Sequence, residues 1–291
     1  MTIAARGPVS ITTLLALGRI SNLPTVWTNT LAGVVLAGGD WRSWRFGSLL
    51  VAMSLFYIGG MYLNDYFDRA VDARERPERP IPSGAIHGEA VSMIGFGLLG
   101  AGLVVTATMG AAAVAIALLL GAAIVAYDFH HKGNPLAPIV MGACRALIYG
   151  TATVGVGGYA SPLVIVAAVA VGAYVAGLTY AARQESLEKV GNLWPLLLVA
   201  APVAVAIPAL QYGLVPIAIY FSLVAWIAAA LNLLARRPVP GSVSRAVGRL
   251  IAGISLCDAG ILASIGATAP AMLAVAGFLA TLTAHKYIAG T

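Results

Sequence analysis

NDYFDRAVDARERPERPIPSG, residues 64–84, interrupts a chain that otherwise avoids charge. The protein has 11 acidic residues, and five of them (Asp65, Asp68, Asp72, Glu75 and Glu78) fall in this stretch. What lies on either side decides the fold. Apolar residues make up 60% of the sequence and charged residues 10%, against about 45–50% and about 25% in a soluble domain. Mean hydropathy is +0.90. Apolar runs of roughly 20 residues, enough to cross a hydrocarbon core, recur from end to end. Backbone polar groups in lipid need internal partners, so these runs predict helices, not the short alternating segments of a membrane barrel. The expected fold is all-α: a multi-pass transmembrane helical bundle forming a single integral-membrane domain over residues 1–291. Abundant Ala and Gly suit close helix packing.

Ten spans are predicted, at 14–38, 46–63, 88–108, 110–127, 136–157, 161–181, 194–211, 213–235, 247–266 and 269–287. Short turns marked by Gly or Pro leave nine as the alternative count. The turns on one side, such as GGYASP and GATAPA, are neutral. The loops on the other are basic: Arg69, Arg74, Arg76 and Arg79; Lys132; Arg183 and Lys189; Arg236, Arg237, Arg245 and Arg249. Only Arg42 and Arg45 oppose them. Lys and Arg in short loops mark the cytoplasmic side. The N-terminus, the acid-rich loop and the C-terminus are therefore expected on the cytoplasmic face of the cell (inner) membrane. The net charge of +6 reads as a topology signal and an attraction to anionic lipids, not to nucleic acid. MTIAARGPVS has no small-residue cleavage site and is not read as a cleaved signal peptide. Cys144 and Cys257 sit in apolar runs and are expected to be buried free thiols. Polar loops follow spans 2 and 6, just after Tyr62 and Tyr180. That suggests two pseudo-halves, about 14–157 and 158–291, with their loops gathered over one central cavity.

Asp65, Asp68 and Asp72 are spaced i, i+3, i+7, which puts them on one stripe of a helix. Asn64 stands beside Asp68 at i+4. Like charges at helical spacing repel by a few tenths of a kcal/mol per pair. A hard divalent cation would offset this, and Mg²⁺ is typically held by one or two carboxylates plus substrate phosphates. The competing reading is a solvated loop whose acids pair with Arg69, Arg74, Arg76 and Arg79.

Asn64-Asp65-x-x-Asp68-x-x-x-Asp72, followed by Arg79-Pro80-Ile81-Pro82-Ser83-Gly84, resembles the first Asp-rich motif of the UbiA family of intramembrane prenyltransferases. Length, span number and loop order agree over essentially the whole chain. The Asp-Gly-x-x-Ala-Arg motif of the CDP-alcohol phosphotransferases is absent. The resemblance implies nine or ten helices around a central, lipid-accessible cavity. It also implies transfer of a polyprenyl group from a polyprenyl diphosphate to an aromatic or lipid-like acceptor, with Mg²⁺ assisting diphosphate departure. The implied metal ligands here are Asn64, Asp65, Asp68 and Asp72. Lys132 resembles the family's Tyr…Lys segment, counted from Tyr127, with a spacing one residue long. Arg145, in GACRALIYG, is an intramembrane Arg and so a functional candidate in its own right. Arg19 and Asn22, at the start of span 1, are candidates for the same mouth. The expected catalytic set is Asp65, Asp68, Lys132 and Arg145. The expected diphosphate-binding set is Asn64, Arg79, Arg183, Lys132, Arg145, Arg19 and Asn22. For Arg19 and Lys132 the competing reading is interfacial snorkelling. Asp258 is also intramembrane and receives no assigned role.

The departure from the family pattern lies after span 6. LTYAARQESLEKVGN contains no Asp where a second Asp-rich motif belongs. Glu185 and Glu188, at i and i+3, are the candidate ligands for a second Mg²⁺, flanked by Arg183, Gln184 and Lys189. This loop resembles a divergent branch of the family such as the EboC-like proteins. It also keeps a second function open: a non-catalytic UbiA-like protein that binds or moves a hydrophobic, isoprenoid-type metabolite. Ion transport is weaker, because few charges line the spans.

Overall fold

The structure, a computed structural model, describes residues 9–183, 194–235, 241–288 and 290. Glu185 and Glu188 lie outside these, as do Gln184, Lys189, Arg236 and Arg237. The described residues form α1 (Ile11–Leu17), α2 (Leu23–Leu36), α3 (Trp44–Glu75), α4 (Gly88–Ala107), α5 (Ala111–His130) and α6 (Ala137–Gly155). They continue through α7 (Pro162–Arg183), α8 (Ala201–Ala206), α9 (Leu214–Ala235), α10 (Ser242–Ala263) and α11 (Thr268–Ala284). The expected all-α architecture is what is found.

Among the described residues, seven helices are long and apolar enough to cross a membrane: α3, α4, α5, α6, α7, α9 and α10. The other three predicted stretches are helical but shorter or broken. The first is divided into α1, a 3₁₀ turn at Ile20–Asn22 and α2. Its break falls at Arg19, whose φ of 41° lies in the left-handed region. The seventh is a 3₁₀ segment (Trp194–Ala200), α8 and a second 3₁₀ segment (Ile207–Gln211). Pro195, Pro202 and Pro208 recur through it, and each removes a backbone N–H, so the winding cannot settle into one regular helix. The last, α11, has 17 residues.

α3 has 32 residues and is about 48 Å long at 1.5 Å per residue. Its first 20 or so residues suffice for a hydrocarbon core of about 30 Å. From Asn64 onward the helix projects past that core. This is why the Asp stripe can be helical without lying at mid-membrane depth. Ser43 caps the start of α3, its Oγ accepting from the Phe46 N–H at 3.3 Å.

α10 is the central helix. Almost all of its residues from Leu250 to Ala263 are buried, and it packs on α2, α7, α9 and α11. The outer faces of the bundle are apolar: Val104, Leu118, Leu119, Ile165, Val166 and Phe221 are exposed, as suits side chains that face lipid tails. Gly33 brings α2 against α6: a Cβ there would lie 2.8 Å from the Tyr149 carbonyl oxygen and 2.9 Å from the Ala152 Cβ. Cys144 and Cys257 are buried free thiols, as expected.

Candidate active site

The Asp stripe forms as its spacing predicts. Asn64, Asp65, Asp68 and Asp72 are all buried on one face of α3, each at 5–7% exposure. Arg69 and Arg74 point the other way. They donate to the backbone carbonyls of Tyr66 (2.7 Å) and Ala70 (3.4 Å), respectively. The stripe is buried rather than solvated, and of the four arginines in the competing reading it is Arg79 that pairs with it.

Arg79 and cations from other elements converge on it. Past α3 the backbone turns back through Arg79–Gly84, with Ser83 N–H bonded to the Arg79 carbonyl at 2.9 Å and Gly84 in the left-handed region at φ 77°. This return places Arg79 Nη1 2.9 Å from Asp65 Oδ1 and 3.6 Å from Asp72 Oδ2. Arg19 reaches in from the break between α1 and α2. Its Nη2 lies 3.3 Å from Asp65 Oδ1 and donates to Asn64 Oδ1 at 3.2 Å. From the end of α5, Lys132 Nζ and His131 Nε2 each lie 3.4 Å from Asp68 Oδ1. Burial works against the imidazolium of His131, but the Asp68 carboxylate outweighs it and raises the ring's pKa above its ordinary value. His131 also stacks on Tyr127, ring centroids 5.0 Å apart. Arg183, ending α7, lines the same mouth and donates to the Asn134 carbonyl at 2.5 Å.

The mouth is a cavity of about 290 Å³. It brings together Asn64, Asp68, Asp72, Arg19, Arg79, Lys132 and Arg183. It does not include Asp65, Asn22 or Arg145; Asp65 lines a neighbouring cavity that shares Arg19 and Arg79 with the mouth. The Asn22 amide is taken up by the C-terminal segment, donating to the Gly290 carbonyl at 2.9 Å and lying 2.7 Å from His285 Nε2. Burial lowers the pKa of that His285 ring. Arg145 faces a second, inner cavity of about 70 Å³, lined by Met53, Phe56, Tyr57, Met61 and Leu120 among others. Tyr127 borders both cavities.

Two residues that the sequence reasoning passed over stand at this junction. Asp128 is 4% exposed. Its Oδ1 accepts from Asn64 Nδ2 at 3.2 Å, while its Oδ2 is buried without a hydrogen-bond partner. His131 is the other. The sequence signal for both is Tyr127-Asp128-x-x-His131-Lys132 at the end of one apolar run.

The donor chemistry of the mouth fits Mg²⁺. Asn64, Asp68 and Asp72 line the mouth with hard oxygen atoms, Asp65 lies beside it, and Asp128, whose Oδ2 has no hydrogen-bond partner, lines the inner cavity. Among the described residues no group of three acidic, His or Cys side chains closes into a metal cage.

The profile of the UbiA prenyltransferase family matches residues 26–246. A digeranylgeranylglyceryl phosphate synthase of Methanothrix thermoacetophila is 35% identical over 126 residues, 43% of this chain and 47% of that protein. The chain thus spans about half the length of the curated relatives it matches. The structure of a UbiA homologue from Aeropyrum pernix K1 superposes with a TM-score of 0.66 at 16% identity, covering 83% of this chain and 98% of that one. That of a UbiA homologue from Archaeoglobus fulgidus, bound to GPP and Mg²⁺, superposes with a TM-score of 0.60 at 15% identity, covering 86% and 99%. At these identities the superpositions speak for the fold, and the profile match speaks for descent: the chain is an integral membrane protein that belongs to the UbiA prenyltransferase family.

Proposed function

We propose that the protein transfers a polyprenyl group from a polyprenyl diphosphate to an aromatic or lipid-like acceptor. The observation that carries this reading is the mouth: buried carboxylates and converging cations beside an apolar cavity, with Tyr127 lining both. A diphosphate has the charge for the first compartment, and a prenyl chain has the polarity for the second. The relative's name and the GPP and Mg²⁺ bound to a family member support the same substrate class.

In this reading Arg19, Arg79, Lys132 and Arg183 surround the diphosphate. They stabilise the negative charge that grows on it as the allylic C–O bond breaks and the electron pair leaves with the diphosphate. The acceptor forms the new bond to the allylic carbon and releases a proton. Asp68 and Asp72, with Asn64 and Asp65, would hold Mg²⁺, which when bound supplies further charge neutralisation at the diphosphate. Glu185 and Glu188 remain proposed ligands of a second ion. Apolar side chains around the inner cavity keep water from the reacting carbon. Met53, Met61 and Met141 there are flexible enough to adapt to a chain larger than the empty space. The mouth faces the cytoplasm, following the basic loops.

The test is diphosphate release by the purified protein, given geranylgeranyl diphosphate, Mg²⁺ and a panel of acceptors. The expected result is release that an Asp65→Ala, Asp68→Ala double variant abolishes. Release that persists unchanged in the double variant would sink the assignment. Tight binding of the diphosphate without turnover on any acceptor would favour a non-catalytic isoprenoid-binding protein instead.

A further inference from the structure

Asp258 sits within α10, the most buried helix, and is itself fully buried. Two hydroxyls and one amide converge on it. Thr28 Oγ1 lies 2.6 Å from Oδ2, Asn29 Nδ2 lies 2.8 Å from Oδ2 and 3.0 Å from Oδ1, and the Tyr149 hydroxyl donates to Oδ1. Hydroxyls can donate or accept, but the amide's orientation is set from its other side, because a guanidinium only donates. This fixes Asn29. With its NH₂ turned to Asp258, its Oδ1 must accept, and it takes Arg145 Nη1 at 2.9 Å. A carboxylate on α10 and a guanidinium on α6 are thus joined through one amide on α2. Gly33, one turn further along α2, permits the close approach to α6.

Holding such a pair in apolar surroundings is costly, and apolar residues would pack these positions at least as stably. The arrangement makes sense for what it presents. A guanidinium has five N–H donors. Among the described residues, Arg145 uses them for one hydrogen bond, to Asn29, while it lines the inner cavity beside Tyr57 and Asp128. Its Cζ lies 5.9 Å from the Tyr57 ring centroid. Arg145 is eight residues along α6 from Ala137, so about 12 Å from the mouth end of that helix. It does not line the mouth that gathers the other cations. An oriented guanidinium with N–H groups to spare matches the planar fork that binds carboxylate or phosphate oxygens.

We propose that Arg145, oriented by the positioning residues Asn29 and Asp258, is a second anion site inside the cavity, separate from the diphosphate mouth, that takes the oxyanion group of the acceptor. Naming that ligand as the acceptor rests on the transfer reading; the anion site does not.

The test needs no turnover. The full-length protein in neutral detergent is treated with 2,3-butanedione, a small uncharged arginine reagent, and modification of each Arg is followed by peptide mass spectrometry. Arg145 should react in the native protein. Benzoate or phenyl phosphate should slow its reaction about tenfold, as a charge-assisted bidentate contact would, while neutral benzamide should not. Which of the two acids protects separates a carboxylate ligand from a phosphate one. Pyrophosphate with Mg²⁺ should protect Arg19 and Arg79 and leave Arg145 unchanged. Asp258→Asn and Asn29→Gln should abolish the difference between acid and amide at Arg145 while keeping pyrophosphate protection at Arg19, which also shows that the variants fold. The proposal is overturned if pyrophosphate protects Arg145, if neither acid does, or if Arg145 reacts only after denaturation. Acid protection that survives in Asp258→Asn would remove Asp258 from the role. Absence of prenyl transfer, by contrast, would overturn the function proposed above and leave this site standing.

Discussion

Arg79 is 14 residues beyond Asp65, yet its guanidinium bridges Asp65 and Asp72 on the helix it follows. Removing it leaves two buried carboxylates with less compensation and takes one cation from the diphosphate. Hydrogen bonds to charged groups contribute about 1.5–3 kcal/mol. Arg79→Ala should therefore raise KM for the prenyl diphosphate by roughly 10- to 150-fold. Arg79→Lys should recover part of that, since a point charge replaces the fork. Steady-state diphosphate release reads both. Tyr149→Phe probes the other polar cluster. It removes one donor from buried Asp258 and should destabilise the protein by about 1–3 kcal/mol, seen as a lower thermal midpoint in detergent with KM for the diphosphate unchanged. At this scale the Asp stripe was legible because helical period alone fixes which of residues 64–72 share a face. Asp128 and His131 were not, because the face taken by residues at a helix end depends on how the neighbouring helix sits against it. Asp258 was visible as an anomaly, but its partners Thr28, Asn29 and Tyr149 lie far off in sequence on two other helices.

Among the elements, the broken first span does the most for the site. Arg19 adopts φ 41°, and the turn it makes carries its side chain from the α1–α2 junction to Asn64 and Asp65 on α3. Left-handed backbone costs a non-glycine residue roughly 1–2 kcal/mol. Arg19→Ala retains that cost and loses the ion pair; Arg19→Gly loses the ion pair but relieves the backbone. Unfolding measurements should place Arg19→Gly above Arg19→Ala by about 1 kcal/mol, with the two equally impaired in diphosphate binding. Equal stabilities would mean that Arg19 is not held in the left-handed region. The interruption was legible in outline, from Arg19, Asn22 and Pro24 within one apolar run. Its conformation was not, because Gly and Asn are the residues that normally signal φ above zero. The seventh span shows the converse limit: hydropathy found the stretch, but only local geometry shows that Pro195, Pro202 and Pro208 divide it into short 3₁₀ and α segments.

For the whole molecule, the ends of α3, α5 and α7 and the start of α10 meet at one mouth. Each pair of consecutive helices must therefore return the chain to the same face, and the short turns between them lie on the other. The basic loops are the ground for the proposal that this mouth faces the cytoplasm. The protein offers a clean way to check this, because its two native cysteines, Cys144 and Cys257, are 7% and 0% exposed. A membrane-impermeant maleimide should leave the native chain unlabelled. Ser83, exposed in the return that carries Arg79, is a reporter for the mouth side. Tyr159, 78% exposed in the turn between α6 and α7, is a reporter for the far side. In inverted membrane vesicles Ser83→Cys should label and Tyr159→Cys should not; in intact cells the order should reverse. The opposite pattern would turn the molecule over, so that a diphosphate from the cytoplasm could not reach Asp68 and Lys132. Labelling of both from one side would break the link between the helix count and the single mouth, because α4, α5 and α6, which separate the two reporters, must cross the bilayer an odd number of times.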